Sequence, residues 1–297
     1  ILLSRFWGVP YIYDVEDLQP DSAGDLKMLP RWAVRMLYNV ERAAYRHARL
    51  VTTLTPSMRQ RLIAKGLEED KVELLEPRMD ESLTNLLPEE GISFRRKYDL
   101  GDKFLITHSG NMGVKQGLDV ILDAALLGRA DTSMLFLCVG DGVECERIRR
   151  RSAELDLSNV RFLPVLDEQD FRGLMAASGI CLVTQQHSVS EIAFPSKIVT
   201  YLAAGRPVIA SVNSDCEVAR VIRESQAGKL VAAENPQALL EAIDALRRDG
   251  LPQAGESARE YAFARWSSAR VLGELERCIA VAAEPGVRAL VSEGSKP

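Results

Sequence analysis

At 297 residues, 46% hydrophobic and 27% charged, the chain has the make-up of a globular protein too long for one hydrophobic core, so two domains are expected. A net charge of −5 argues against a dedicated nucleic-acid binder, and no apolar run approaches the roughly 20 residues of a membrane span. The five cysteines (Cys138, Cys145, Cys181, Cys216, Cys278) are odd in number and form no CxxC pair, which argues for reduced thiols in a cytosolic protein rather than a disulfide framework or zinc site.

The opening Ile1-Leu2-Leu3-Ser4-Arg5 has neither Met nor a signal-peptide layout and enters mid-domain, so a first domain lacking its opening part is expected. Residues 10–15 read as a strand that ends in a polar turn over 16–21. A helix follows over 30–48, with proline at its first position and Ala33, Val34, Leu37, Val40 and Ala44 at helical spacing. Strand 49–54, helix 56–65 stopped by Gly66, and strand 71–75 come next, and the acidic, proline-containing stretch 85–91 reads as a linker.

A second series begins with strand 103–107, a glycine-rich turn, and a helix presenting Leu118, Ile121, Leu122 and Ala125 on one face. Strand 134–139 leads into Gly140-Asp141-Gly142 and a charged helix; strand 160–163, helix 168–177 and strand 180–184 follow. Then come helix 196–204 closed by Gly205, strand 207–210, helix 217–226 closed by Gly228, and a helix capped by Asn235-Pro236 running to 246. Alternation of this kind implies α/β architecture with mainly parallel sheets, here two Rossmann-like units of which the first is incomplete. No repeat of 20–50 residues is present.

Three motifs carry chemistry. His108-Ser109-Gly110-Asn111-Met112-Gly113-Val114-Lys115-Gln116-Gly117 lies between a strand and a helix, where backbone N–H groups favour phosphate and Lys115 adds a charge; a tight turn with a solvated lysine is the alternative. Gly140-Asp141-Gly142 resembles the start of GxGxxG, but Cys145 replaces the third glycine, so a turn near a nucleotide or a plain turn is expected rather than a dinucleotide fingerprint. In Phe194-Pro195-Ser196-Lys197 the helix start suits ligand binding at the strand ends. Lys197 there opposes the helix dipole unless an anion compensates, which favours a function over a solvated surface lysine.

Stretches 109–117, 140–142, 159–163 and 195–210 together resemble glycosyltransferase family 4, and within it the colanic-acid and O-antigen type that carries this PSK…YLAAGRPVIA segment. Asp17-Leu18-Gln19-Pro20-Asp21-Ser22-Ala23 is similar to the same group. The resemblance implies a GT-B fold and a retaining hexosyl-type transfer from a UDP- or GDP-sugar to a glycan or polyprenyl-diphosphate-linked acceptor, in bacterial exopolysaccharide or O-antigen synthesis. It implies an acceptor-side domain over 1–90, a nucleotide-sugar domain over 91–262, a helix over 263–285 that crosses back to the first domain, and a tail over 286–297. The enzyme is expected to be cytoplasmic and to use no cofactor beyond the donor substrate. With no DxD-like signature, metal-independent transfer is expected.

Carried over residue by residue, Lys115 matches the basic residue on the donor diphosphate, with Gly110, Asn111 and Gly113 in its loop and Gly140, Gly142, Pro195, Ser196 and Lys197 around it. The family's Glu-x7-Glu pattern is degraded: its second Glu falls on Thr200, which has one hydroxyl for the ribose, and its first on Ile192, beside Glu191. Glu191 serves the sugar if the loop register shifts by one, and is a candidate catalytic residue with Lys115. Glu217 is a candidate ribose or sugar contact, or else a first-turn carboxylate favoured by the helix dipole.

His108 lines the cleft or is an ordinary strand-end histidine, His187 is a candidate for reaching the donor, and His47 reads as solvated. Arg31, Arg35, Arg42, Arg46 and Arg49 fall on a narrow arc of one helix, suited to an anionic membrane surface or simply to solvent. A sugar-nucleotide epimerase of the same fold, and a non-catalytic nucleotide-sugar-binding subunit, are the competing functions. The first would require several cleft carboxylates and histidines, of which motif three supplies few.

Overall fold

Two parallel sheets, each in its own compact unit, organise the computed structural model, which describes residues 2–17, 30–188 and 194–284. The first unit takes in residues 1–75 and the chain from Ala269 onward. It contains α1 (Leu2–Trp7), β1 (Ile12–Val15), α2 (Arg31–His47), β2 (Leu50–Thr53), α3 (Pro56–Ala64) and β3 (Val72–Leu74). The strands pair in the order β1-β2-β3, Ile12 opposite Leu50 and Val51 opposite Val72, and every residue of the central β2 is buried. Thr55 caps α3 by accepting the Met58 N–H at 3.2 Å, and Pro56 fills the first helical position, where no N–H is needed. From the far end of the chain, α12 (Ser268–Ala283) buries Val271, Cys278 and Ala282, and Arg277 pairs with Glu73 at 3.0 Å.

Helix α2 departs from expectation on one side. Val40, placed with the core face by its spacing, is 61% exposed and shares the solvent side with Trp32 (71%) and Met36 (55%). These three recur every fourth residue, so α2 carries a second apolar stripe besides the one that packs inward.

The second unit, residues 76–268, holds a six-stranded parallel sheet ordered β6-β5-β4-β7-β8-β9. In chain order it comprises α4 (Pro88–Lys97), β4 (Phe104–Ser109), α5 (Asp119–Leu127), β5 (Met134–Val139), α6 (Cys145–Glu154), β6 (Val160–Leu163), α7 (Glu168–Ala177) and β7 (Ile180–Thr184). After these come α8 (Lys197–Ala203), β8 (Val208–Val212), α9 (Glu217–Ser225), β9 (Gly228–Ala232), α10 (Pro236–Asp249) and α11 (Leu251–Trp266). Side chains alternate between two cores: Leu105, Leu137, Val139 and Cys181 join one with α7, α8, α9 and α11, while Ile106, Phe136, Cys138 and Leu182 join the other with α5, α6 and α10. Burial on both faces explains why these strands read as continuous apolar runs.

Stretch 85–91 is not a linker. Glu81–Asn85 form a short 3-10 turn, Pro88 opens α4, and the Glu90 carboxylate accepts the Leu87 N–H at 2.7 Å as a helix-start contact. Glu90 also binds Arg172 of α7 at 2.7 Å, and Phe94 lies against Gly173, where an added Cβ would be 2.8 Å from the Phe94 Cβ. This packing of α4 on α7 puts residues 76–90 in the second unit, so the division falls at 75/76 rather than at the expected 90/91.

Candidate functional site

From β4 the chain winds outward to β5 and β6 on one side, while β7, β8 and β9 extend on the other, so the connections reverse between β4 and β7. Parallel sheets bind ligands at the carboxyl ends of strands flanking such a switch point. The glycine-rich turns after β4 and β5 meet there. Gly110 (φ +114°) gives its N–H to the Val139 carbonyl at 2.9 Å, and Gly140 (φ +132°) gives its own to Leu163 at 3.1 Å. A Cβ on Gly140 would stand 2.0 Å from the Gly110 oxygen, and one on Gly142 2.5 Å from the Met112 oxygen and 2.6 Å from Asn111 Oδ1. Only glycine permits this backbone approach. The Met112 N–H bonds Asp141 O at 2.8 Å and the Glu144 N–H returns to Met112 O at 2.9 Å.

Lys115 sits in the single 3-10 turn Val114–Gln116 that follows. The turn is held from both ends: the Gly113 N–H donates to Gln116 Oε1 at 3.1 Å, the Gln186 N–H to Lys115 O at 2.9 Å, and the Thr184 hydroxyl to Gln116 O at 2.7 Å. Its ammonium, partly exposed, forms no ion pair among the described residues. A cation on an anchored backbone with no protein counter-charge is suited to an anion from solution.

Pro195 and Ser196 lead into α8, seven residues long, with Ser196 at the cap and no side-chain capping bond. Lys197 Nζ stands 3.3 Å from His108 Nε2 of β4. His108 is completely buried, and a hydrogen bond with the Asn111 backbone accompanies its contact with Lys197. Burial and then the neighbouring Lys197 charge hold His108 well below the usual histidine range, so it is neutral. Burial likewise pushes Lys197 down to about 8, with only the Cys138 and Cys181 thiols acting the other way. Thr200 lies one turn further along α8, partly exposed.

Glu217 opens α9 and is buried, its carboxylate accepting from Arg220 Nε at 2.8 Å one turn along the same helix. Glu191 and Ile192 lie outside the described residues, as do 18–23 of the N-terminal motif. The His187 N–H donates to Glu234 at 3.1 Å. His47, Arg35, Arg42, Arg46 and Arg49 are exposed in the first unit. Among the described residues no three His, Cys, Asp or Glu side chains converge to hold a metal, and no helix is long and apolar enough to cross a membrane.

Sequence reasoning missed Tyr201. Fully buried in α8, its hydroxyl accepts the Ser109 N–H at 2.9 Å and donates to the Ser109 carbonyl at 3.1 Å, which ties α8 to the last residue of β4. The signal was a phenol among Ile198, Val199, Leu202 and Ala203, where packing alone would use an aliphatic.

Residues 103–249 match the family described as Glycosyl transferases group 1, and residues 1–78 match the Glycosyl transferase 4-like domain. WcaI of Escherichia coli (strain K12), named for colanic acid biosynthesis, is 26% identical over 269 residues, covering 88% of this chain and 65% of its own length. The glycosyltransferase WbjE of Pseudomonas aeruginosa is 23% identical over 289 residues, covering 94% of this chain and 70% of its own. The chain thus spans about two thirds of these relatives' length. Among solved structures, Anabaena HepE in complex with UDP and glucose superposes with a TM-score of 0.78 at 19% identity, over 93% of this chain and 73% of that one. A glycosyltransferase from Rickettsia africae ESF-5 gives 0.73 at 19% identity, over 96% and 80%. Two parallel α/β units, the match to these structures and the two domain matches lead to one conclusion: the chain has the GT-B fold and belongs to glycosyltransferase family 4.

Proposed function

We propose that this chain transfers a sugar, with retention of configuration, from a UDP- or GDP-sugar to a lipid-linked glycan acceptor in bacterial exopolysaccharide or O-antigen synthesis. The observation that carries the reading is the backbone contact of Gly110 with Gly140 at the switch point, beside Lys115, which forms no ion pair among the described residues. The colanic-acid name of one relative and the UDP and glucose bound by HepE support the substrate classes. Loop 110–115 holds the donor diphosphate, Lys115 neutralises the charge that builds on the leaving group, and preorganised donors accelerate the step. No step in this reading calls for a metal ion. The first unit serves the acceptor, and the protein works at the cytoplasmic membrane face: on α2 the apolar stripe Trp32, Met36 and Val40 adjoins exposed Arg35, Arg42 and Arg46, a pairing suited to an anionic bilayer surface.

One observation favours a second reading, a nucleotide-sugar-binding subunit without turnover: Thr200 stands where the family pattern has a carboxylate. Calorimetric titration with UDP, GDP and their sugar conjugates, followed by assay of donor hydrolysis and transfer, separates the two. Micromolar binding with turnover supports the enzyme. Binding without turnover favours the subunit, and a folded chain that binds no nucleotide overturns both.

A further inference from the structure

Among the described residues no group of opposite charge stands beside the Lys197 cation. From β4 it meets His108, from β5 Cys138 and from β7 Cys181, and in its own helix Tyr201 is committed to Ser109. No carboxylate of the described residues reaches it. A charge taken out of water is costly unless a partner of opposite sign is present. Here the partner is a neutral, fully buried imidazole, which brings no charge of its own. The ammonium also lies under the glycine turn: a Cβ on Gly110 would stand 3.6 Å from both Lys197 Cε and Nζ. Gly110 therefore leaves open the side of the ammonium that borders the phosphate loop, and Lys197 keeps partial access to solvent.

We propose that Lys197, seated on His108, is a proton-coupled diphosphate contact: an incoming diphosphate supplies the missing counter-charge, and at alkaline pH its binding draws one proton from solvent onto Lys197 Nζ. This rests on the donor-site reading above and adds a regulation to it, an affinity that falls as the cell or the assay turns alkaline. In the free protein the amine is largely unprotonated above pH 8, since burial lowers it to about 8. An anion at contact distance raises it again, and the difference is the proton taken up. The other groups at this spot are silent in that window: burial raises both Cys138 and Cys181 to about 12, and His108 is already neutral. The terminal phosphate of a nucleoside diphosphate, with its second ionisation near pH ~6, is silent there too.

The test is calorimetry of UDP and GDP binding to the full chain at pH 6.5 and pH 9, in buffers of different ionisation enthalpy. Expected are no net uptake at pH 6.5, where the phosphate's own ionisation can only release protons, uptake approaching one proton at pH 9, and affinity falling up to about tenfold per pH unit above 8. Lys197→Met should abolish the uptake and flatten the pH dependence, while Lys115→Ala weakens binding but retains the uptake. Nucleotide binding at pH 9 without proton uptake, or uptake that survives Lys197→Met, overturns the proposal and leaves the donor site standing. Should neither nucleotide bind, the donor reading fails, and inorganic pyrophosphate serves as the probe in an NMR pH titration of 13C-labelled lysine. A Lys197 midpoint raised by pyrophosphate then supports the diphosphate contact, and an unmoved midpoint overturns it.

Discussion

The carbonyl oxygen of Gly110 occupies the space that any side chain at Gly140 would need, 2.0 Å from the Cβ position. Gly140 also holds φ +132°, a conformation costly to other residues by roughly 1–3 kcal/mol. Gly140→Ala is therefore expected to lower stability by at least that amount in urea denaturation and to reduce UDP or GDP affinity more than tenfold by spreading the two turns. Unchanged affinity in a folded variant would remove these turns from the donor site.

Lys115 has the opposite profile. Its ammonium makes no ion pair among the described residues, so Lys115→Ala is expected to leave stability within about 0.5 kcal/mol. Loss of a charge-assisted contact worth roughly 1.5–3 kcal/mol should still weaken nucleotide binding about tenfold or more, as read by calorimetry.

Tyr201→Phe removes one oxygen that serves both the N–H and the carbonyl of Ser109. Leaving buried groups unsatisfied costs about 1–3 kcal/mol. The expected outcome is a lower denaturation midpoint, together with weaker donor binding because the end of β4 is no longer tied to α8. A variant as stable as the wild type would show that water replaces the hydroxyl.

The two glycine turns and the PSK segment were legible in the chain because positive φ and helix starts demand particular residues, and most strands were legible because burial on both faces makes them apolar throughout. Other features were not. Pro88, Glu89 and Glu90 carry the same composition in a linker as in the first turn of a helix. Only the burial of Gly91 and Phe94 against α7 decides for helix, and that depends on a segment 80 residues away. His108 follows four strand residues whose pattern is compatible with either a rim or an interior, and its pairing with Lys197 spans 89 positions. Tyr201 was hidden by its apolar neighbours. Val40 obeyed the helical spacing of the core yet fell on the outer stripe, since spacing defines an arc and not which edge of it is covered.

For Lys197 the folded protein lowers the ionisation midpoint from 10.5 to about 8. The unfolded chain then binds more protons than the fold between these values, so stability contributed by this group is least below pH 8 and rises toward pH 10.5. Lys197→Met, an apolar side chain of similar length, should raise the thermal midpoint at pH 7 by a few degrees while weakening nucleotide binding. Calorimetric melting at pH 7 and 9.5 checks the sign, with the gain smaller at the higher pH.

On α2, replacing Arg35, Arg42 and Arg46 by Glu should abolish co-sedimentation with anionic liposomes, each arginine near such a surface contributing about 1 kcal/mol. Trp32→Ser should weaken it without altering its salt dependence. Sedimentation unchanged by the triple substitution would sink the membrane reading.

The compact unit formed by residues 1–75 and the chain from Ala269 onward draws on α12, whose Arg277 reaches Glu73 across 204 positions. On the ribosome, where chains emerge N-terminal end first, β1, β2 and β3 must wait while all of residues 76–268 are made, and those residues already possess a six-stranded sheet and two cores of their own. Of the two units, the one whose strands are made earlier is thus the later to acquire its full set of neighbours. A chain stalled before Ala269 would carry a finished second unit together with strands that still lack Cys278 and its helix, and those strands are what a holdase would find first.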